Sequence, residues 1–139
     1  MGECLLEVKN LKKTYPIYGK MGKLFGAKDH MCAVDGMSFH INEGETYGLV
    51  GESGCGKSTS GRSIVGLTKP DGGSILYHGQ DLCKLSEKEF RPLRKELQMV
   101  FQNTLSALNP RQRIGAIMED ILKIHGMSDG AKRREQVIE

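Results

Sequence analysis

A glycine-rich stretch followed by a lysine and two hydroxyl residues is the part of this 139-residue sequence that could bind phosphate. It reads Gly51-Glu52-Ser53-Gly54-Cys55-Gly56-Lys57-Ser58-Thr59 and fits the pattern G-x-x-x-x-G-K-[ST]. The glycines let the backbone curl, so that successive N–H groups point at a polyphosphate. Lys57 is placed to reach the outer phosphates, and the Ser58 hydroxyl is placed to hold Mg²⁺. The pattern predicts a nucleotide-binding loop.

The flanks of this loop fit the same interpretation. Thr46–Val50 before it is a short apolar run typical of a strand, and Ser58–Leu67 after it has helical spacing. A strand, a glycine loop and a helix are what the motif requires, because the helix N-terminus adds partial positive charge beneath the phosphates. The alternative is a glycine-rich turn that fits by accident, with a chance on the order of one per cent from ordinary residue frequencies.

Composition sets limits on the class of protein. The chain has 38% hydrophobic and 27% charged residues, which predicts one soluble globular domain. A net charge of +3 is mild and does not indicate nucleic-acid binding. No apolar run approaches the roughly 18 residues that span a bilayer, and the N-terminus does not resemble a secretory signal.

The four cysteines do not predict a metal site. Cys4, Cys32, Cys55 and Cys83 are widely and irregularly spaced and contain no C-x-x-C pair. Because disulfides are rare in the cytosol, where phosphate loops occur, we expect four free thiols. Cys55 lies inside the phosphate loop, and we expect thiol alkylation there to block nucleotide binding.

The remaining elements are predicted from periodicity and punctuation. Strands are predicted at Leu5–Lys9, Ala33–Ile41, Ser74–His78 and Leu97–Phe101, and helices at Ser86–Glu96, Ile114–Leu122 and Ala131–Glu139. Gly19–Asp29 is predicted to be a glycine- and lysine-rich loop. Two side chains have open roles at this point. Tyr15 is either a core residue or a platform for a base, and Gln102 is either a plain loop residue or a Mg²⁺ or water contact.

Six stretches of the sequence are specific in combination. They are Ala33-Val34-Asp35-Gly36-Met37-Ser38-Phe39, Glu43-Gly44-Glu45, Gly48–Thr59, Leu93-Arg94-Lys95, Gln98-Met99-Val100-Phe101-Gln102 and Leu108-Asn109-Pro110-Arg111. Together they resemble the ATP-binding subunits of ABC transporters, and more narrowly the oligopeptide and dipeptide import type. The long insert at Gly19–Asp29, with Leu24-Phe25-Gly26 inside it, is similar to that branch as well. The resemblance runs from about Leu5 to the end of the chain.

The resemblance implies roles for individual residues. Tyr15 matches the aromatic residue that stacks on adenine, and Gln102 matches the Q-loop glutamine, which touches Mg²⁺ and the attacking water. The implied nucleotide-binding set is Tyr15, Gly51, Ser53, Gly54, Cys55, Gly56, Lys57, Ser58 and Thr59, with Lys57 and Gln102 catalytic and with Ser58 and Gln102 on the metal. Position 55 departs mildly from the family, where serine is common. ATP and Mg²⁺ are the implied cofactors.

The resemblance also implies an α/β fold of the P-loop NTPase class, of which this chain is the N-terminal part. An antiparallel β-region and the P-loop and Q-loop core are expected in residues 1–110, and the start of a helical subdomain in 111–139. The family's Leu-Ser-Gly-Gly-Gln signature, its strand ending in Asp followed by a catalytic Glu, and its switch histidine are not in this sequence. We therefore expect a truncated chain. On its own it is expected to rearrange, to form a domain-swapped or other homo-oligomer, or to hold only its N-terminal β-region well.

The function implied by the resemblance is ATP-driven import of peptides, from a position on the cytoplasmic face of the membrane. The implied partners are transmembrane permease subunits and a second ATP-binding subunit, and nucleic acid is not among them. Without the general base we expect ATP binding with little hydrolysis. Two alternatives remain open: an ABC ATPase that acts outside transport, and a non-catalytic fragment without productive ATP binding.

Overall fold

The computed structural model describes residues 2–18, 27–103 and 108–138, with the backbone alone at Ala27 and Lys28. The chain divides into two compact units, Met1–Met99 and Val100–Glu139. Of the predicted insert at 19–29, residues 19–26, including Leu24-Phe25-Gly26, lie outside the described residues. The predicted subdivision at residues 110 and 111 stays a prediction.

The first unit is built on a four-stranded sheet of order β2-β1-β3-β4. The strands are β1 (Cys4–Tyr18), β2 (Ala27–Asn42), β3 (Gly72–Tyr77) and β4 (Gln80–Asp81). All three strand pairs are antiparallel. The predicted antiparallel β-region is therefore present, with the first two strands longer than expected.

The length of β1 comes from its pairing with β2. The ladder between them runs from Cys4 opposite Asn42 to Tyr18 opposite Ala27, with several register shifts. The polar segment after Asn10, which the sequence pattern left out of the strand, is held in it by these backbone hydrogen bonds. Context of this kind commonly outweighs β-propensity.

The core of this unit lies against one face of the sheet. Its buried apolar side chains are Leu6, Val8, Leu11, Val34, Ile75, Leu82 and Phe90. Leu6 and Val8 alternate along β1, as expected for a strand with one buried face. Met37, Phe39 and Ile41 pack against the same cluster from β2, which confirms the face predicted for that strand.

Short helices cover this core. They are α1 (Lys57–Ile64), a 3₁₀ turn at Leu82–Lys84, α2 (Glu87–Phe90) and a second 3₁₀ turn at Arg91–Lys95. The predicted capping box is confirmed at the start of α2. There the Glu89 N–H donates to Ser86 Oγ at 3.4 Å, and the Ser86 N–H donates to Glu89 Oε2 at 2.8 Å. The helix expected to reach Glu96 is α-helical only to Phe90, because Pro92 has no N–H for an i−4 bond.

The end of α1 is closed by a glycine that also packs against α2. The Leu67 N–H donates to the Arg62 carbonyl at 2.8 Å and the Gly66 N–H to the Ser63 carbonyl at 3.2 Å, the two bonds of a Schellman motif. Gly66 has φ +71°, and a Cβ there would lie 2.5 Å from the Phe90 ring. Glycine therefore satisfies both the backbone conformation and the packing.

The second unit contains α3 (Ile114–Ile124) and α4 (Gly130–Ile138). Both helices were predicted, and α3 ends just before Gly126 at φ +98°. The Asp129 carboxylate accepts from the Ala131 N–H at 2.9 Å and so caps α4. Ile114, Met118, Ile121 and Ile124 of α3 remain exposed in this unit.

Two expected strands are not formed within the part of the chain that the structure describes. Thr46–Val50 and Leu97–Phe101 have no strand hydrogen bonding, although both sequences favour strands. A strand is stabilised by ladder bonds to a neighbour, and no described segment supplies such bonds to either stretch. Among the described residues, no helix has the length and apolarity needed to cross a membrane.

Candidate functional site

The predicted phosphate loop adopts a tight turn that leads directly into a helix. Gly54 has φ +86° and Gly56 φ +93°, a region that residues with side chains rarely occupy. The helix α1 begins at Lys57, with Gly56 as its N-cap and no side chain capping it. No acidic residue occurs in its first turn. The helix N-terminus therefore offers backbone N–H donors and partial positive charge, which is the arrangement that favours an anion.

The turn is seated on β2 through its last glycine. A Cβ on Gly56 would lie 2.3 Å from the carbonyl oxygen of Ala33 and 3.2 Å from a methyl group of Val34. A Cβ on Gly51 would lie 2.6 Å from the sulfur of Cys55, which is the end of a side chain and can move aside. Glycine is thus required at position 56 by close backbone packing as well as by its positive φ.

Lys57 folds back over the loop that precedes it. Its ammonium donates to the carbonyl oxygens of Gly51 at 2.7 Å and Glu52 at 2.6 Å, and lies 3.3 Å from the sulfur of Cys55. An ammonium has three donors, and these contacts account for all three. A phosphate oxygen that binds Lys57 must therefore replace one of them, and the thiol is the weakest acceptor of the three.

The hydroxyl residues of α1 divide into two groups. Ser58 is exposed and Thr59 is half-buried. Ser60 and Ser63 are buried instead, and their hydroxyls donate to the carbonyls of Gly56 at 3.0 Å and Thr59 at 2.9 Å. These small side chains form the buried face of α1, a role that was not predicted for them.

Tyr15 lies near the far end of β1, half-buried and opposite Met31 of β2. The ammonium of Lys13 lies 5.5 Å from the centre of its ring, at the distance of a cation–π contact. Lys13, two residues before Tyr15, pairs with Val34 of β2. A methyl group of Val34 lies beside Gly56 of the phosphate loop. The sheet therefore links the strand that carries Tyr15 to the phosphate loop through one residue of β2.

Asp71 anchors the same part of β1 and was not singled out by the sequence. Its carboxylate accepts from the Thr14 N–H at 2.7 Å, from the Thr14 hydroxyl at 2.9 Å and from the Lys13 ammonium at 2.9 Å. The Thr14 N–H, and after it Lys13, lower the pKa of Asp71 to about 2. A turn residue contacting a strand 57 positions away leaves no local signal in the sequence.

Gln102 belongs to the second unit, where it is exposed and follows the unpaired segment Gln98–Phe101. Its predicted role as a contact to Mg²⁺ and water stays a prediction.

Within the first unit, Ser53 and Cys55 are exposed at the surface of the loop. The cysteines Cys4, Cys32, Cys55 and Cys83 are all free thiols.

Comparison with known proteins identifies the family. The family model described as "ABC transporter" matches residues 34–138. The chain belongs to the ABC transporter family. The match begins in β2 and includes the phosphate loop, so the ABC transporter resemblance suggested by the sequence is confirmed.

Relatives of this ABC transporter chain carry peptide-transport names. It is 44% identical to "Oligopeptide transport ATP-binding protein AppF" of Bacillus subtilis (strain 168), over 99% of this chain and 41% of that protein. It is 42% identical to "Dipeptide transport ATP-binding protein DppF" of Escherichia coli (strain K12), over 96% of this chain and 39% of that protein. The chain thus spans about two fifths of the length of these relatives.

A solved structure supports the fold class. The structure titled "Dimeric structure of a post-hydrolysis state of the ATP-binding cassette MJ0796 bound to ADP and Pi" aligns with a TM-score of 0.74 at 27% identity. The alignment covers 96% of this ABC transporter chain and 54% of the other. The predicted fold class, the N-terminal part of an ABC cassette, is confirmed.

Proposed function

We propose that this chain binds the triphosphate of ATP in the loop from Gly51 to Thr59. The observation that supports this most directly is the α1 N-terminus, which has no side-chain cap, no acidic first turn and two glycines at positive φ before it. The chemistry of these donors fits a polyphosphate, because backbone N–H groups and one lysine supply hydrogen bonds and positive charge, and the first turn of α1 has no carboxylate to oppose them.

The side chains around the loop have distinct proposed roles. Lys57 exchanges a contact within the loop for a phosphate oxygen and neutralises its charge. The exposed Ser58 hydroxyl is the proposed Mg²⁺ ligand from this loop. Tyr15 stacks on the adenine, and Gln102 contacts Mg²⁺ and the attacking water when the complete site is assembled. When bound, Mg²⁺ neutralises charge on the phosphates of the nucleotide.

We further propose that the whole protein uses ATP hydrolysis to drive import of oligopeptides or dipeptides. The support is the naming of relatives at 44% and 42% identity and a dimeric structural neighbour bound to ADP and Pi. Membrane permease subunits and a second ATP-binding subunit are the proposed partners. No general base was recognised in this sequence. We therefore expect this chain alone to bind ATP and to hydrolyse it about 10²–10⁴-fold more slowly than a chain that has such a base.

Titration with Mg·ATP, followed by calorimetry, tests the binding proposal. Lys57→Ala should weaken ATP binding about 10-fold or more, because a charged hydrogen bond to phosphate is lost. Lys88→Ala is the matched control, since Lys88 is an exposed lysine of α2 away from the loop. Equal affinities in both variants, with both folded, would contradict the proposal.

The role of Ser58 and the transport proposal need separate measurements. Ser58→Ala should weaken binding in the presence of Mg²⁺ and leave binding in the presence of a chelator unchanged. Recovery of membrane permease subunits with the whole protein would support import. Recovery of ribosomes instead would favour an ABC ATPase that acts outside transport.

A further inference from the structure

We infer that Asp71 is a positioning residue for Tyr15 and so sets how much the base contributes to nucleotide affinity. This inference rests on the proposed function, in which Tyr15 stacks on the adenine. Three donors, two on Thr14 and one on Lys13, converge on the Asp71 carboxylate at 2.7 to 2.9 Å. Lys13 and Thr14 are the two residues directly before Tyr15.

The carboxylate replaces a missing strand partner. Strand β3 begins at Gly72, opposite Lys12 of β1, and the turn that contains Asp71 comes directly before it in the chain. The Asp71 N–H donates to the Lys12 carbonyl at 2.9 Å, which continues the ladder by one bond. The next N–H of β1 in this contact, that of Thr14, is taken by the carboxylate. Asp71 therefore restrains β1 on the side where β3 is absent, while β2 pairs with β1 on the other side.

Lys13 extends this restraint to the aromatic ring. Its side chain is 15% exposed, and its ammonium is held 2.9 Å from the Asp71 carboxylate and 5.5 Å from the centre of the Tyr15 ring. The carboxylate thus controls both the backbone before Tyr15 and the cation beside its ring. Loss of the carboxylate frees the lysine and removes one of the restraints on the backbone before Tyr15, although β2 still pairs with β1 there. The ring is then less firmly held in one orientation before the base arrives. Preorganisation of this kind is a source of affinity.

The test separates the base from the phosphates. We define the base contribution as the dissociation constant for Mg·tripolyphosphate divided by that for Mg·ATP, both measured by calorimetry on the purified chain. Tyr15→Ala should lower the base contribution by about 5-fold or more, as expected for loss of a base–aromatic stack. Asp71→Ala should lower it by about 3-fold or more without changing tripolyphosphate affinity. Asp71→Asn, which keeps an acceptor for the Thr14 N–H, should give an intermediate value.

Asp35→Ala is the matched control. Asp35 is a carboxylate on β2 that pairs with Lys12 at 3.1 Å and does not contact Thr14. We expect Asp35→Ala to leave the base contribution unchanged.

In the Tyr15→Ala background, Asp71→Ala should have no further effect on ATP binding, because the ring through which Asp71 acts is gone.

The outcomes distinguish this inference from the proposed function. If the unsubstituted chain binds neither ligand, the proposed function is wrong and the inference is wrong with it. If it binds both, but Asp71→Ala and Asp71→Asn leave the base contribution unchanged or weaken both ligands equally, the inference alone is overturned. An Asp71 effect of undiminished size in the Tyr15→Ala background would overturn it as well. Where Asp71→Ala does not fold, as judged by circular dichroism, Asp71→Asn carries the same comparison.

Discussion

The ammonium nitrogen of Lys57 lies 3.3 Å from the sulfur of Cys55, within the loop that contains both residues. Cys55 is exposed, so the sulfur is accessible to reagents, while its inner side is close to the backbone of Gly51. Any group attached to this sulfur therefore enters the space around the ammonium. The lysine cannot then reach a phosphate oxygen without displacing that group.

Alkylation of Cys55 should therefore prevent nucleotide binding. We expect a chain labelled at Cys55 with N-ethylmaleimide to show at least about a 10-fold loss of Mg·ATP affinity by calorimetry. Because Cys4 and Cys32 are also exposed, the measurement uses a variant in which Cys55 is the only cysteine. Prior saturation with Mg·ATP should slow the labelling.

Cys55→Ser is the control for that experiment. It retains a small side chain in the loop and should bind Mg·ATP with similar affinity. Treatment of Cys55→Ser with the same reagent should have no effect on binding, although the other thiols are still labelled. Undiminished affinity after complete labelling of Cys55 would show that the sulfur lies outside the functional site.

Alanine substitution at the two positive-φ glycines of the loop should have unequal effects. Gly54→Ala meets nothing within 4 Å and should cost only the left-handed conformation, about 1–2 kcal/mol. Gly56→Ala adds a clash 2.3 Å from the backbone oxygen of Ala33, so it should destabilise the chain more and displace the loop from β2. Thermal unfolding and Mg·ATP titration measure both effects, and equal destabilisation by the two substitutions would contradict the packing of Gly56 on β2.

The stability of the chain should depend on pH through Asp71. Hydrogen bonds from Thr14 and the nearby Lys13 lower the pKa of this carboxyl from its ordinary value of 3.8 to about 2. A lowered pKa in the folded state gives a stabilisation that is present above the unfolded value and is lost as pH falls through the folded value. The difference in free energy of unfolding between the unsubstituted chain and Asp71→Asn should therefore shrink between pH about 5 and about 2. Denaturant unfolding at a series of pH values measures it, and a constant difference would contradict the prediction.

Gly66→Ala should destabilise the first unit through α2. Its Cβ would lie 2.5 Å from the Phe90 ring, and its φ of +71° adds strain. Gly36→Ala is the control, because Gly36 has φ +72° and a Cβ there meets nothing within 4 Å. Combining Gly66→Ala with Phe90→Leu should recover part of the loss, since the smaller side chain makes room. Equal melting temperatures for the two alanine variants would rule out the proposed contact.

The features that could be predicted from the sequence are those set by local chemistry. The spacing of Gly51, Gly56 and Lys57 predicted a turn that leads into a helix, because those residue types have few other uses in that order. The pair Ser86 and Glu89 predicted the start of α2 in the same way, since each residue satisfies a backbone group of the other. Gly126 likewise predicted the end of α3.

The features that could not be predicted depend on distant partners. Thr46–Val50 has the composition of a strand, yet a strand forms only where a neighbour supplies its hydrogen bonds. Conversely, the polar end of β1 is a strand because β2 lies beside it. Asp71 reads as an ordinary turn residue, and only the fold places it beside Thr14. The role of Tyr15 was likewise open until a family resemblance favoured one alternative.

The pairing of β2 with β1 is irregular at Ala33. Lys13 pairs with Val34 and Thr14 with Cys32, so the pairing skips Ala33, whose carbonyl lies against Gly56. A single unpaired peptide thus aligns the strand of Tyr15 with the start of α1. Insertions or deletions on either side of it within β2 would shift one relative to the other, whereas a change in the number of residues between β1 and β2 would leave that alignment intact. Homologous proteins should therefore differ in length at the hairpin connection far more often than at this peptide.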